Sequence, residues 1–80
     1  MFSAKYIVTE ENQMIVFSAG LNHSDFKRFN PKSAGMISFG STENLMPTCS
    51  CYGKSITLGI ESNPEEDTKM AEMQILNNFF

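Results

Sequence analysis

The strongest structural signal in this sequence is a helix start close to its C-terminal end. Ser62 and Asn63 are capping residues, Pro64 suits the first helical position, and the acidic residues 65–67 favour the first turn. The pattern predicts one helix from Pro64 to near Asn78. Because the chain has 80 residues, the remainder can form only one small domain around that helix.

Before this helix, the sequence predicts short strands separated by turns. Apolar and β-branched runs bounded by polar or glycine-containing segments are typical of buried or half-buried strands. The predicted strands cover residues 4–9, 14–17, 33–39, 48–52 and 55–61, and residues 40–47 are predicted to form a loop. In the last strand, Ile56, Leu58 and Ile60 alternate with Ser55, Thr57 and Gly59, which predicts an inward apolar face and an outward polar face. Gly53-Lys54 predicts a type II′ turn that joins the last two strands as a hairpin.

A short helix is predicted between the second and third strands. Asn22 or Ser24 can cap it, and Asn30-Pro31 ends it because the residue before proline avoids helical geometry. The expected fold is therefore α+β. It consists of an antiparallel sheet of about five strands, this short helix and a C-terminal helix packed on the sheet.

The apolar side chains of the C-terminal helix spread over more than half of its circumference, which is wider than one sheet face requires. Either the end of the helix folds back into the core, or the surplus face packs on another copy of the chain. We expect the second outcome, because a domain this small lies at the edge of independent stability. The sequence thus predicts a homo-oligomer assembled through the C-terminal helix. The residues concerned are Ala71, Met73, Ile75, Leu76, Phe79 and Phe80.

Composition argues against several classes of protein. The net charge is −3 and the six basic residues form no stripe, so general nucleic-acid binding is not expected. No apolar run approaches the ~20 residues of a membrane span, and polar residues interrupt the N-terminal segment, so we expect a cytoplasmic protein. Cys49 and Cys51 are too close for a good disulfide and, with a single histidine, cannot complete a zinc site within one copy. We therefore predict no metal and no cofactor, although two copies could share a metal.

The first candidate binding segment contains Gly53, Lys54, Ser55 and Thr57. A glycine turn exposes backbone N–H groups, lysine adds a positive charge, and the two hydroxyls are predicted to share one face, so together they could cradle a phosphate. Gly53-Lys54-Ser55 resembles the end of a nucleoside-triphosphate-binding loop, but the segment lacks the earlier glycine of that loop. The simpler interpretation is a hairpin turn with an exposed lysine.

The second candidate is the start of the short helix, with His23 and Arg28. A helix N-terminus attracts anions, and arginine forms bidentate hydrogen bonds with phosphate or carboxylate. Tyr52 or a phenylalanine could stack on a base. The alternative is a capped surface helix with a solvated histidine.

No catalytic group is predicted. Ser24, His23 and Asp25 are adjacent in the chain and do not point at one another. A Cys51–His23 pair lacks a third residue to orient it. The carboxylates at 65–67 are explained by the helix start.

Several short motifs follow in a recognisable order over roughly residues 6 to 76. They are Val16-Phe17-Ser18, His23-Ser24-Asp25, Lys32-Ser33-Ala34-Gly35, Cys51-Tyr52-Gly53-Lys54-Ser55, Leu58-Gly59, Ser62 and Pro64-Glu65-Glu66-Asp67. In this order the sequence resembles a family of small proteins encoded by phages and prophages, to which no activity is attached. The resemblance implies an accessory factor that interferes with host defence in the host cytoplasm.

Two functions are consistent with these features. The first is a non-enzymatic oligomer that sequesters a phosphorylated small molecule or nucleotide signal. The second is a protein-binding inhibitor or adaptor that acts on a host defence protein.

Overall fold

The computed structural model describes residues 2–77, and within them the main element is a four-stranded antiparallel sheet in the order β2-β1-β3-β4. Its strands are β1 (Phe2–Thr9), β2 (Met14–Phe17), β3 (Pro31–Ser41) and β4 (Pro47–Tyr52). The other elements are a 3₁₀ helix (His23–Phe29), the two-stranded sheet of β5 (Lys54–Ser55) and β6 (Ile60–Glu61), helix α1 (Pro64–Ala71) and a π-helical segment (Glu72–Leu76). The predicted α+β class, with a C-terminal helix packed on the sheet, is confirmed.

One face of the main sheet packs against the C-terminal helix. Successive side chains of a strand point to opposite faces, so Ala4, Tyr6 and Val8 of β1 share this side. Tyr6 and Val8 are fully buried. Their core cluster is completed by Met14, Ile37, Cys51 and Ala71, with Val16, Phe39, Cys49, Met70 and Ile75 at its border. We call this side the helix face.

The opposite face holds a second, smaller core cluster. It is built on Ile7, Phe17 and Ala34, three buried residues of β1, β2 and β3. Phe26 of the 3₁₀ helix stacks on Phe17 with 3.9 Å between ring centroids. The turn after β5 adds Leu58, and β6 adds Ile60. These two segments cover only the end of the face that carries Ile7, and we call this side the open face.

A buried carboxylate joins α1 to the sheet. Asp67 is 3 % exposed and accepts three hydrogen bonds. The donors are the Tyr6 hydroxyl (2.5 Å), the Ser33 hydroxyl (3.0 Å) and the backbone N–H of Asn63 (2.9 Å). A buried charge costs free energy unless its hydrogen bonds are made, so these contacts fix the position of the helix on β1 and β3.

Side chains of the helical region also reach both edges of the sheet. The Thr68 hydroxyl accepts from the backbone N–H of Cys51 in β4 at 3.0 Å, and the Gln74 amide oxygen accepts from that of Met14 in β2 at 2.9 Å. The Gln74 amide nitrogen donates to the carbonyl of Asn12 at 2.7 Å. Unpaired strand edges invite pairing with other chains, and these contacts occupy part of each edge.

The predicted strand over residues 55–61 is wrong. Residues 56–59 form turns between β5 and β6, and the predicted faces are reversed at Ser55, which is 2 % exposed, and at Ile56, which is 84 % exposed. Leu58 and Ile60 do pack inward as predicted. The Ser55 hydroxyl accepts from the backbone N–H of Leu58 at 3.2 Å, and the N–H of Gly59 donates to the Ser55 carbonyl at 2.9 Å. Local hydroxyl-to-backbone bonds of this kind compete with strand geometry.

The predicted hairpin turn at Gly53-Lys54 is also wrong. Lys54 lies in β5, which pairs with β6 and not with β4. Gly53 has φ +80°, a left-handed conformation that suits glycine, and its carbonyl accepts from both the backbone N–H and the hydroxyl of Ser62. The chain passes so close to β3 here that a Cβ atom on Gly35 of β3 would lie 2.3 Å from the Tyr52 carbonyl oxygen.

The C-terminal helix has less surplus apolar surface than its sequence pattern predicts. Ala71 is buried and Ile75 packs at the border of the helix-face core, whereas Met73 is 71 % exposed. Phe79 and Phe80 lie outside the described residues. Within the described part, the helix end packs back onto the sheet, which was the outcome we did not favour from the sequence.

Replacing Tyr6 with phenylalanine tests the buried carboxylate. We expect Tyr6→Phe to lower the free energy of unfolding by about 1–3 kcal/mol, because Asp67 loses a hydrogen-bond donor in a buried site. Tyr52→Phe removes the hydroxyl of the only other tyrosine, which is exposed, and should change stability by less than about 0.5 kcal/mol. Urea unfolding of both variants gives the comparison, and equal effects would contradict the assignment.

Stability should fall in alkaline solution. Burial raises the pKa of the Cys51 thiol from 9.0 to about 11, and burial together with the Asp67 hydrogen bond raises the pKa of Tyr6 well above its usual value. The unfolded chain therefore releases these protons first, so the contribution of Cys51 is complete below pH 9.0 and is lost as pH rises through about 11. Its full size is about 3 kcal/mol. Urea unfolding under reducing conditions should show this loss of stability in the parent chain and a smaller loss in Cys51→Ala. A parent chain whose stability stays constant over this pH range would contradict the assignment.

Candidate functional site

The first predicted segment does not form an open cradle. The Ser55 hydroxyl is buried and lies 3.3 Å from the Thr57 hydroxyl, in addition to accepting from Leu58. Ser55 thus holds its own turn together. Gly53, Lys54 and Thr57 are exposed, so Lys54 is the group of this segment that remains available to an anion.

The second predicted segment is divided between the interior and the surface. His23 is 6 % exposed, its Nε2 lies 2.9 Å from the Gly35 carbonyl oxygen, and its ring packs edge-on against Phe17. Because a carbonyl only accepts, this contact requires a proton on Nε2. Arg28 is exposed, donates to the Asp25 carbonyl at 3.2 Å and stacks over Phe29. The histidine is thus a structural group, and Arg28 is on the surface.

The fold nevertheless brings the two segments to the same side of the sheet. Phe26, from the 3₁₀ helix, and Leu58 and Ile60, from the β5–β6 region, pack on one cluster of the open face. Arg28 and Lys54 therefore belong to neighbouring covers of the open face, although they are 26 residues apart in the chain.

The uncovered end of the open face carries a row of hydroxyl groups. Ser3 and Ser38 are cross-strand partners in β1 and β3, and their hydroxyl oxygens are 3.1 Å apart. The Tyr52 hydroxyl lies 3.1 Å from that of Ser38 and comes from β4. Ser50 of β4 is the cross-strand partner of Ser38 and is exposed. We call Ser3, Ser38 and Tyr52 the hydroxyl row.

Lys5 borders the hydroxyl row, and hydrogen bonds within the row affect the ionisation of Tyr52. Lys5 pairs with Met36 in the adjacent rank of the same face, and its Nζ donates to the Leu21 carbonyl at 2.6 Å. Hydrogen bonding by the Ser38 and Ser3 hydroxyls lowers the pKa of Tyr52, because these groups stabilise the phenolate. The row therefore favours negative charge at its tyrosine end and presents hydroxyls that can both donate and accept.

Sequence reasoning identified Tyr52 but missed Ser3 and Ser38. The alternation of strands 4–9 and 33–39 places Ser38 beside Met36, yet the partner of Ser38 depends on the register between β1 and β3. That register aligns Ser3 with Ser38 and Lys5 with Met36. A hydroxyl pattern across strands is visible only once this alignment is known.

The nucleophilic candidates lie on opposite sides of the sheet. Cys51 belongs to the helix-face core, whereas His23 packs on Phe17 of the open face. Burial raises the pKa of Cys51, and burial together with Glu72 raises that of Cys49, so both thiols are protonated at neutral pH. Both cysteines are free, and the part of the chain from 2 to 77 contains no group of three or more histidine, cysteine or acidic side chains placed to hold a metal.

No protein-family model, curated protein or solved structure matches this chain. The resemblance to phage-encoded proteins stays a prediction. In residues 2–77, no helix combines the length and apolar character needed to cross a bilayer.

The two tyrosines should titrate in well-separated ranges. Hydrogen bonding lowers the pKa of Tyr52, whereas burial raises that of Tyr6. An absorbance titration of tyrosinate should show one phenol ionising below its usual pKa and the other only when the protein unfolds. Ser38→Ala should move the first transition to higher pH. Ser41→Ala, on the same strand but with its side chain on the opposite face, should leave it in place; equal shifts in both variants would contradict the hydroxyl row.

Proposed function

We propose that this chain binds a phosphorylated small molecule, such as a nucleotide, on the uncovered end of its open face and holds it without turnover. The observation that carries the proposal is the hydroxyl row formed by Ser3, Ser38 and Tyr52. Three strands present these groups side by side on a surface that neither the 3₁₀ helix nor the β5–β6 region covers.

The chemistry of the row suits a nucleotide. Tyr52 is 42 % exposed, so its ring can stack on a base while its hydroxyl stays bonded to Ser38. Serine hydroxyls can bond ribose or phosphate oxygens. Lys54, two residues beyond Tyr52, and Arg28 are exposed cations of the two segments that cover the other end of the open face, and they could attract the phosphate.

Retention without turnover is supported by the state of the reactive side chains. Cys51 is buried as a protonated thiol on the helix face, and the His23 ring is committed to the Gly35 carbonyl. The proposal keeps Tyr52, Lys54 and Arg28 from the sequence-based site and gives Ser55 and His23 structural roles. Gly53 and Thr57 remain at its border.

The resemblance to phage-encoded proteins suggests which ligands to test first. Cyclic nucleotides and ADP-ribose derivatives are signals that an accessory factor of this kind would sequester from host defence. Homo-oligomer formation through the C-terminal helix remains a prediction, and because that helix lies on the helix face, such an assembly leaves the open face accessible to the ligand.

A second candidate function is a protein-binding inhibitor or adaptor of a host defence protein. The observation that favours it is the outward position of Met73, which is 71 % exposed on the π-helical segment. An apolar residue displayed on a helix can enter a groove of another protein.

Calorimetric titration tests the ligand proposal. The parent chain is titrated with cyclic mono- and dinucleotides, ADP-ribose, and inorganic phosphate as a probe of the phosphate alone. We expect heat and a rise in Tm with at least one nucleotide. Tyr52→Ala should weaken that binding about tenfold or more, because a stacked base contributes ~1–3 kcal/mol. Ser38→Ala and Lys54→Ala should each weaken it by a smaller factor.

Ser41→Ala is the matched control, since it removes an exposed serine hydroxyl of the same strand from the opposite face. It should bind as the parent chain does. The absence of heat across the panel would refute the ligand proposal and leave the inhibitor function as the alternative. Binding that survives Tyr52→Ala unchanged would place the ligand elsewhere.

A further inference from the structure

The loop that joins β3 to β4 displays an apolar side chain in an unfavourable backbone conformation. Among residues 2–77, three non-glycine residues have positive φ, namely Asn12, Asn30 and Leu45. Asparagine tolerates the left-handed region, whereas leucine does not. Leu45 has φ 62° and is 82 % exposed, so neither its backbone nor its burial explains a leucine here.

Hydrogen bonds around Thr42 hold Leu45 in this conformation. The Leu45 N–H donates to the Thr42 carbonyl at 2.9 Å, and the Thr42 N–H donates to the Met46 carbonyl at 2.9 Å. The Met46 N–H donates to the Thr42 hydroxyl at 3.2 Å. Residues kept in sparsely populated backbone regions by surrounding contacts are concentrated at functional sites. Leu45 and Met46, which is 62 % exposed, form what we call the apolar knob.

An apolar groove lies beside the knob, at the end of the helix face that α1 leaves uncovered. One part, of about 790 Å³, is lined mainly by apolar side chains that include Phe2, Val16, Phe39 and Ile75. A second part, of about 670 Å³, lies between the knob, β4 and the π-helical segment. Both parts contain Pro47, Thr48 and Leu76, so they form one continuous surface.

The charge and size of this surface fit a second copy of the chain. Glu72 is the one charged residue that lines either part of the groove, so two copies can meet here with little repulsion although each carries a net charge of −3. A standard interface removes about 800 Å² per partner, which is roughly 15 % of the 5241 Å² surface of this chain. The thirteen residues that line the two parts come from all four strands of the main sheet, the β3–β4 loop and the helical region, so an interface of that size can be centred on this surface.

We propose that this chain forms a two-fold dimer in which the apolar knob of each copy enters the apolar groove of the other. Knob and groove adjoin on one surface, so a two-fold axis between them satisfies both contacts at once, as an isologous interface requires. Leu45 is then the anchor residue, and its loop is fixed before binding, which reduces the ordering cost of association. This surface differs from the hydroxyl row, so the dimer does not depend on the ligand.

Leu45→Asn separates the interface from the fold. Asparagine accepts the left-handed conformation, so we expect the variant to melt a few degrees above the parent chain when both are dilute enough to be monomeric. The same variant should dimerise at least about tenfold more weakly, because an anchor side chain is lost. Sedimentation velocity over the micromolar range measures the dimer, and differential scanning fluorimetry of dilute samples measures the monomer.

Ile56→Asn is the matched control, because Ile56 is 84 % exposed and lines neither part of the groove. It should dimerise as the parent chain does. Met46→Glu, at the second residue of the knob, provides an independent disruption if Leu45→Asn folds poorly, and it should also yield monomers. A parent chain that stays monomeric at every concentration would overturn the proposal and leave the groove to a different protein. A dimer that survives both knob variants, or that Ile56→Asn disrupts equally, would overturn it too.

Discussion

The buried carboxylate of Asp67 is the interaction on which the rest of the structure depends. It joins the first turn of α1 to β1 through Tyr6 and to β3 through Ser33, and it also accepts from the N–H of Asn63 at the start of the helix. One oxygen atom accepts two of these bonds and the other accepts the third. Because Asp67 fixes the first turn of the helix on the sheet, it also determines which other residues of the helix contact the sheet.

Two consequences follow for the edges and faces of the sheet. With α1 fixed at Asp67, Thr68 faces the N–H of Cys51 and Gln74 faces the N–H of Met14, so one helical region contacts both edge strands. The same placement buries Ala71 and draws Ile75 onto the core, yet leaves Phe2 and Phe39 at the rim of an open groove. The covered and uncovered parts of the helix face are therefore set by where the helix begins.

The sequence revealed elements whose determinants are local. Strand β2 occupies residues 14–17 as predicted because polar and small residues mark both of its ends, and α1 begins at Pro64 because cap, proline and acidic residues coincide. The strand prediction for residues 55–61 failed because the Ser55 hydroxyl bonds the backbone three residues later and stabilises a turn, although Leu58 and Ile60 still pack on the core.

Long-range partners set the limits of the site prediction. Asp67 was interpreted as a helix-start charge, which it is, but its partner Tyr6 is 61 residues away and no local pattern reveals it. In the same way, the hydroxyl row requires the alignment of Ser3 with Ser38 across two strands. Tyr52 was identified because an aromatic ring can stack on a base, whereas single serines on strands give no comparable signal.

The two faces of the sheet provide two different kinds of surface. On the open face, short covers leave hydroxyls and the Tyr52 ring in contact with solvent, which suits a small polar ligand. On the helix face, the uncovered end is apolar and lies beside Leu45, which has a left-handed backbone conformation that is unfavourable for leucine. Since a strand directs neighbouring side chains to opposite faces, β1 places Ser3 on the first surface and Phe2 on the second. A substitution on one surface can therefore leave the other intact, which allows ligand binding and self-association to be varied separately.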